Sequence, residues 1–307
     1  MIGSHVCWRR LNQELLLSLG YVNKGEIWWR VNMLKTKLKL ITILLIMSSY
    51  PIEAVSDYLF TAPPRESLER GVEIYQPIAD YLTRATGERF AYQHPKSWAE
   101  YSRGMQNKEF DLVFDGPHFV SWRLQYIDHD VLAKLPQLHT WRVIARSDNA
   151  AIKSLDDLIG QKVCAPKSPN FGMLTMMSHF PNPDKEPVHI ITKGWKDGFN
   201  GVVQGKCAAA VIPKINHKKF DPQLKKTRAV HTHLPYPNQA FTAGSNITPN
   251  LKSKISSTLL SVEGQSAMSN LRDRFSRGAE LVSAENEEYE GISMVLKRAD
   301  NFKSAAN

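Results

Sequence analysis

Two hydrophobic rhythms alternate along most of this chain. Short extended runs, DYLFT at 57–61, FAYQ at 90–93, FDLVF at 110–114, WRVIAR at 141–146, KVCA at 162–165, VHIIT at 188–192 and AAAVI at 208–212, have the compactness of half- or fully buried strands. Between them lie segments with apolar positions at helical spacing. Residues 71–86 carry Ile74, Ile78, Ala79 and Leu82 on one face and stop at Gly87. Further helices are predicted over 97–107, 118–125, 172–180 and 196–204, with a short one at 154–158, and over 249–274 and 284–300 near the end of the chain. The segment 238–245, NQAFTAGS, reads as extended again. Strand and helix in such alternation predict an α/β architecture. The Glu-rich segment 284–300 reads as a solvated helix face closing the first half.

Three strand-to-helix junctions carry the candidate chemistry. The run ending at Phe114 passes through Asp115 to a Gly116-Pro117 corner and directly into a helix that begins with His118 and Phe119. In open α/β sheets the crevice outside the carboxyl ends of the strands is where ligands sit. Helices starting there offer unpaired N–H groups and the positive end of a dipole to an anion. A second such loop is Pro166-Lys167-Ser168-Pro169-Asn170-Phe171-Gly172, in which Ser168 is expected to cap the helix and Asn170 to offer its amide. A third runs into Trp195-Lys196-Asp197, where Lys196 supplies a cation and Trp195 an aromatic wall. After the first strand, Arg65 is placed to give a bidentate fork to an oxyanion, or else is an ordinary surface arginine. Phe171, Trp195 and Trp98 suggest an apolar part to the ligand.

The head of the chain reads differently. From Met33 the sequence MLKTKLKLITILLIMSSYPIEAVS has a lysine-rich start, a short apolar core from Leu40 to Met47 and a small residue at Ala54, the pattern of a cleaved secretory signal. That core is far shorter than the ~20 residues of a membrane span. No cysteine follows it, so a lipid anchor is not indicated. Residues 33–54 are therefore expected to be the signal peptide, residues 1–32 an upstream extension, and the exported protein to begin near Val55 in a periplasm-like compartment. The formal charge is +9. Residues 1–54 hold seven Lys/Arg against three Asp/Glu, which assigns +4 of it to the head. What remains is spread without a stripe, which suits small anions and gives no footprint for nucleic acid. Cys164 sits near the end of one strand and Cys207 near the start of another. In parallel neighbours such ends lie beyond disulfide reach, so two buried free thiols are expected.

Taken together, the segments IYQPIADYLTRATG (74–87), KEFDLVFDGPHFV (108–120), SLDDLIGQKVCAP (154–166) and GFNGVVQGKCAAAVIP (198–213) resemble, in order and spacing, the periplasmic phosphate/phosphite/phosphonate-binding proteins of ABC importers. The resemblance runs from about Leu59 to Met294. It implies a two-lobed periplasmic binding protein fold: each lobe is a mixed, mostly parallel sheet flanked by helices, joined by two hinge segments near 138–144 and 238–243. Residues 55–140 with 241–307 would form one lobe and 141–240 the other. It also implies a monomer that traps a small anionic ligand by hinge closure and docks on a membrane ABC permease, or on a membrane sensor. The ligand-binding residues expected on these grounds are Arg65, Gly116, His118, Lys167, Ser168, Asn170, Trp195 and Lys196. This chain departs from the family in the second loop. Where the family has a Ser-Thr-Ser run before the glycine, Pro169-Asn170-Phe171 precede Gly172. Phosphonate-type ligands come first, with sulfonates second.

Other chemistries find less support. His231 and His233 share a strand face and His129, His139 and His217 are further imidazoles, but no cysteine or carboxylate cluster completes a metal set. There is no G-x-S-x-G elbow, HExxH, P-loop or dinucleotide glycine fingerprint. No cofactor, no metal and no catalytic activity is expected.

Overall fold

The computed structural model describes residues 57–299, together with Trp29 and Met33. Apart from those two residues, the expected export signal and the stretch before it lie outside the described residues. Among the described residues no helix is long and apolar enough to cross a membrane.

The alternation builds two five-stranded sheets of the same order. In the first, β1 (Tyr58–Thr61) lies parallel between β2 (Phe90–Gln93) and β3 (Leu112–Asp115). A late strand, β10 (Ala240–Ala243), then inserts antiparallel between β3 and β4 (Asp130–Lys134). The second sheet repeats the scheme. Strand β6 (Lys162–Pro166) lies parallel between β7 (Val188–Thr192) and β8 (Ala209–Pro213), and β5 (Trp141–Arg146) runs antiparallel between β8 and β9 (Thr227–Thr232). Strand β4 (DVLAK) and helix α6 (Lys214–Phe220, KINHKKF) were not expected from the sequence.

Helices follow the parallel strands. Helix α1 (Leu68–Thr86) begins three residues earlier than its apolar face suggests, because the Ser67 hydroxyl accepts from the Arg70 amide; it ends at Gly87, at φ 82°. Its buried Ile74, Ile78, Ala79 and Leu82 pack with Phe60, Phe114 and Phe241 of the first sheet. Helix α2 (Trp98–Gln106) follows β2, and α3 (Pro117–Tyr126) follows β3. Helices α4 (Phe171–Met177) and α5 (Trp195–Val203) follow β6 and β7.

The chain crosses between the sheets twice, at 135–140 and 233–239, a few residues before the stretches expected. The crossings pair with each other: the His139 amide donates to the Tyr236 carbonyl at 2.7 Å and the Tyr236 amide returns to the His139 carbonyl at 2.9 Å.

Three expectations are corrected. The helix expected over 249–274 is three: α7 (Pro249–Leu260), α8 (Val262–Ala267) and α9 (Ser269–Ser276). Ser261 breaks it by capping α8, accepting from the Gly264 amide at 3.0 Å. The segment 284–300 is not one solvated helix but two short 3-10 turns, Asn286–Tyr289 and Ile292–Arg298, separated by Gly291 at φ 72°. Tyr289, Ile292, Val295 and Leu296 are buried, the Ser293 amide donates to the Ser121 hydroxyl of α3 at 2.9 Å, and Arg298 pairs with Glu186 at 2.6 Å. The segment therefore straps both lobes.

Finally, Cys164 and Cys207 are not free thiols but a disulfide, with Cα atoms 5.8 Å apart. Cys207 lies in the turn before β8, whose amide donates back to the Gly201 carbonyl of α5, and this brings it over the Cys164 strand. A Cβ on Gly201 would stand 2.8 Å from the Cys164 sulfur, so the glycine makes room for the bridge.

Candidate functional site

The carboxyl ends of β1, β3, β6, β7 and β8 face one cleft of about 680 Å³. Its wall includes Arg65 from the loop after β1, Gly116 and His118 from the β3–α3 corner, and Lys167, Asn170 and Phe171 from the loop after β6. Lys193, Gly194 and Trp195 come from the loop after β7, His139 and Gln239 from the crossings, and Arg274 and Phe275 from α9. Four cations thus line the cleft, Arg65, Lys167, Lys193 and Arg274. Among the described residues that line it there is no aspartate or glutamate.

Backbone donors add to this. Most helices here start on a side-chain cap, including Ser67 for α1, Ser97 for α2 and Thr248 for α7. The starts of α3 at Gly116 and α5 at Gly194 carry no side-chain cap and both glycines line the cleft, although the Gly116 amide is taken by Asp115 and Pro117 has none to give.

Behind Gly116 lies a charged core. Asp115 is fully buried; its Oδ1 accepts from the Gly116 amide at 2.8 Å, and its Oδ2 accepts from the Tyr101 hydroxyl and stands 3.4 Å from Arg123 Nε. Burial pushes this carboxyl above its ordinary range, while Arg123 and Arg65 oppose that rise. The Arg123 guanidinium is also fully buried, and its Nη2 donates to the Tyr101 oxygen at 3.0 Å. Arg65 reaches Asp115 from the cleft side at 3.8 Å and donates to the Gln239 side-chain oxygen. One carboxylate against two guanidiniums leaves a net positive charge, and Arg65 is the one that meets the cleft.

His118 meets the cleft as an uncharged ring. It is 3% exposed, its ring is stacked on Phe171 of the other lobe at 4.9 Å and 7°, and its Nε2 donates to the Pro169 carbonyl at 3.2 Å. Burial, followed by the charge of Arg65, lowers its pKa to about 3, so it is neutral at physiological pH. His139 is lowered to about 4 for the same reasons.

Six of the eight expected residues, Arg65, Gly116, His118, Lys167, Asn170 and Trp195, line the one cleft. Ser168 lines an adjoining pocket of about 940 Å³ that shares Pro64, Trp98, Lys167 and Pro169 with it. Ser168 does not cap α4. That role falls to Asn170, whose side-chain oxygen accepts from the Met173 amide at 3.1 Å. Lys196 is outside the cleft, because the helical register carries its ammonium over the rings of Phe199 at 5.1 Å and Phe220 at 4.7 Å. Lys193, three residues earlier, lines the wall instead.

Sequence reading missed Trp141, Thr192, Gln239 and Arg274 on this wall. Trp141 packs against Trp195 at 5.1 Å and stands edge-on to Phe171 at 6.2 Å. Its Nε1, the Thr192 hydroxyl, His118 Nδ1 and His139 Nδ1 are all buried without a hydrogen-bond partner.

The fold has close parallels among solved structures. A Xanthomonas citri protein bound to ATP aligns with a TM-score of 0.63 at 14% identity, covering 79% of this chain and 98% of its own. PhnD1 from Prochlorococcus marinus, in complex with methylphosphonate, gives 0.56 at 13% identity, covering 78% and 97%. A binding protein component of an ABC phosphonate transporter from Pseudomonas aeruginosa gives 0.53 at 13% identity, covering 81% and 88%. At sequence level, the profile of the phosphonate ABC transporter periplasmic substrate-binding proteins matches residues 60–289, more than half of the chain. A two-lobed fold around a cation-lined cleft, with that match, assigns this chain to the family of periplasmic substrate-binding components of phosphonate ABC transporters.

Proposed function

We propose that this protein captures a phosphonate-type oxyanion in the interlobe cleft and presents it to the permease of an ABC importer. Residues 55–140 with 241–307 act as one lobe and 141–240 as the other, closing about the paired crossings. Residues 33–54 serve as the export signal that delivers the protein to the periplasm. The observation that carries this reading is a cleft with four cationic side chains, two uncapped helix starts and no carboxylate on its wall. Arg65 and the first turn of α3 beside Gly116 hold the oxyanion from one lobe. Lys167, Asn170, Lys193 and Gly194 approach it from the other. Trp195, Trp98 and Phe171 contact the organic part, in place of the hydroxyl run that the loop before Gly172 lacks. Two neighbours of the same fold hold ligands, methylphosphonate and ATP, that share phosphorus-bound oxygens.

Titration calorimetry of the purified protein with phosphate, phosphite, methylphosphonate and 2-aminoethylphosphonate tests this. At least one is expected to bind. Arg65→Ala weakens that binding by about 1.5–3 kcal/mol, the value of a hydrogen bond to a charged group, whereas Lys196→Ala changes it by less than about 0.5 kcal/mol. Binding of none of the four anions, or equal binding by the Arg65 variant, overturns the reading.

A further inference from the structure

We propose that a lysine ridge on the second lobe, built by α6 and the turn that follows it, is a docking surface for an anionic phospholipid membrane. The inference does not depend on which ligand the cleft takes.

The ridge shows first as charge. Residues 214–228, KINHKKFDPQLKKTR, hold six Lys/Arg and one Asp, a net of +5. The head of the chain accounts for +4 of the total +9, so the other residues of 55–307 sum to zero. The charge expected to be spread over the exported part is therefore local.

The fold puts five of these cations on one surface. The helical repeat sets Lys214, Ile215, Lys218 and Lys219 on one side of α6, and all four are exposed. The other side carries His217, which is buried, and Phe220, which is half-buried. Beyond the helix Asp221 turns inward. Its carboxylate accepts from the amides of Lys225 at 3.2 Å, Lys226 at 3.0 Å and Thr227 at 2.8 Å, and from the Thr227 hydroxyl at 2.9 Å. The one acid of the stretch is thus engaged by the turn itself, while the side chains of Lys225 and Lys226 are exposed. Among the described residues none of the five lysines has an ion-pair partner.

Two aliphatic side chains stand among the lysines, Ile215 at 50% exposure and Leu224 at 47%. Leu224 is held at φ 51°, in the left-handed region that suits glycine or asparagine. A leucine there strains the backbone and adds nothing to the core, so its use lies outside the molecule.

Lipid fits these features better than an acidic protein does. Protein carboxylates are matched by the planar fork of arginine, and lysine is depleted at protein interfaces. A bilayer takes both parts of the ridge. Headgroup phosphates attract the mobile ammoniums, each adding about fivefold to affinity near the surface, and the aliphatic side chains enter the acyl boundary.

Position gives the ridge a role. The Lys214 amide donates to the Thr140 carbonyl of the first crossing at 2.8 Å, and Pro213, Ile215 and Asn216 lie on the cleft wall. A protein resting on this ridge holds the rim of its cleft at the membrane, where a permease would receive the ligand.

The test is co-sedimentation of the exported protein, purified after release of its basic head, with vesicles of phosphatidylcholine alone or mixed with phosphatidylglycerol. Binding is expected to the mixed vesicles only, at about 0.05 M salt, and to be lost at about 0.5 M, where screening shortens the reach of each charge. Lys218→Gln, Lys219→Gln, Lys225→Gln and Lys226→Gln together should weaken it by more than about 100-fold. Leu224→Gly should weaken it by roughly three- to tenfold, the scale of one partly buried aliphatic side chain, without lowering the melting temperature, since it relieves the positive φ. Thermal melts verify that both variants fold. Equal binding to the two vesicle types, binding to neither, or anionic binding that survives the four substitutions overturns the proposal, as does undiminished binding by Leu224→Gly. If no vesicle binds and the four-lysine variant associates more slowly with methylphosphonate, the ridge steers the ligand instead, and the lipid reading falls while the cleft reading stands.

Discussion

The two lobes repeat one strand order but reach the cleft with different chemistry. The first places its charge internally. Asp115, Arg123 and Tyr101 form a dry network beneath Gly116, and only Arg65 carries that charge to the surface of the cleft. The second keeps its buried polar chain, Arg142–His217–Thr227–Asp221, among β5, α6 and β9, and none of these four residues lines the cleft. It has alanine-rich strands, a disulfide tying β6 to the turn before β8, and rings from Trp141, Phe171 and Trp195 at its mouth. The difference lies in how each lobe holds its charge at the cleft: the first anchors a guanidinium against a buried carboxylate, and the second brings Lys167 and Lys193 on loops beside a ring-lined mouth.

Breaking the buried network should have the largest effect. Arg123→Met removes a fully buried guanidinium and strands Asp115, so unfolding free energy is expected to fall by about 3–5 kcal/mol, read by denaturant melts. A change below about 1 kcal/mol would show that the first lobe does not depend on its internal charge. The matching staple of the second lobe is the disulfide, which closes a loop with a sequence separation of 43. Cys164→Ala with Cys207→Ala should cost about 3–4 kcal/mol by loop-closure entropy. An unchanged melting temperature would mean that the bridge adds nothing to the packing around Gly201.

The histidines of the cleft give a smaller, pH-dependent effect. The pKa of His118 drops to about 3 and that of His139 to about 4 in the folded protein, both below the ordinary 6.5. The unfolded chain therefore binds more protons in this interval. The stability these neutral rings contribute is complete above pH 6.5 and is lost as pH falls toward 4. The expected slope is about 1.4 kcal/mol per pH unit for each ring. His118→Phe should flatten the acid limb of a stability–pH curve by one such share, and a curve identical to that of the parent would contradict the burial of His118.

Legibility in the sequence followed locality. Helix α1 was readable because its periodic face ends on a glycine at positive φ, both properties of one segment. Arg65, Gly116, His118 and Asn170 were readable because each sits at one of three strand-to-helix corners, which puts it at the carboxyl end of a strand whatever the tertiary arrangement. What failed needed distant partners. Arg274 and Phe275 reach the cleft from α9, through the packing of the C-terminal helices, and nothing local marks them. Trp141 and Thr192 depend on the register of β5 and β7. Lys196 was misplaced by one helical turn, since residue type alone does not say which face of α5 turns toward Phe220. The disulfide is not legible from strand ends, because the turn after α5 folds Cys207 back over its partner.

The placement of β10 has a consequence for how the molecule is made. The strands of the second sheet, from Trp141 to Thr232, are contiguous in the chain and can assemble as soon as they emerge. The first sheet cannot be completed at that stage, because the slot between β3 and β4 stays vacant until residues 240–243 arrive from beyond the whole second lobe. Long-range closures of this kind come late in folding. During biogenesis the amino-terminal lobe is thus the last to mature, and until then its open strand edges are the part of the chain most in need of protection from aggregation.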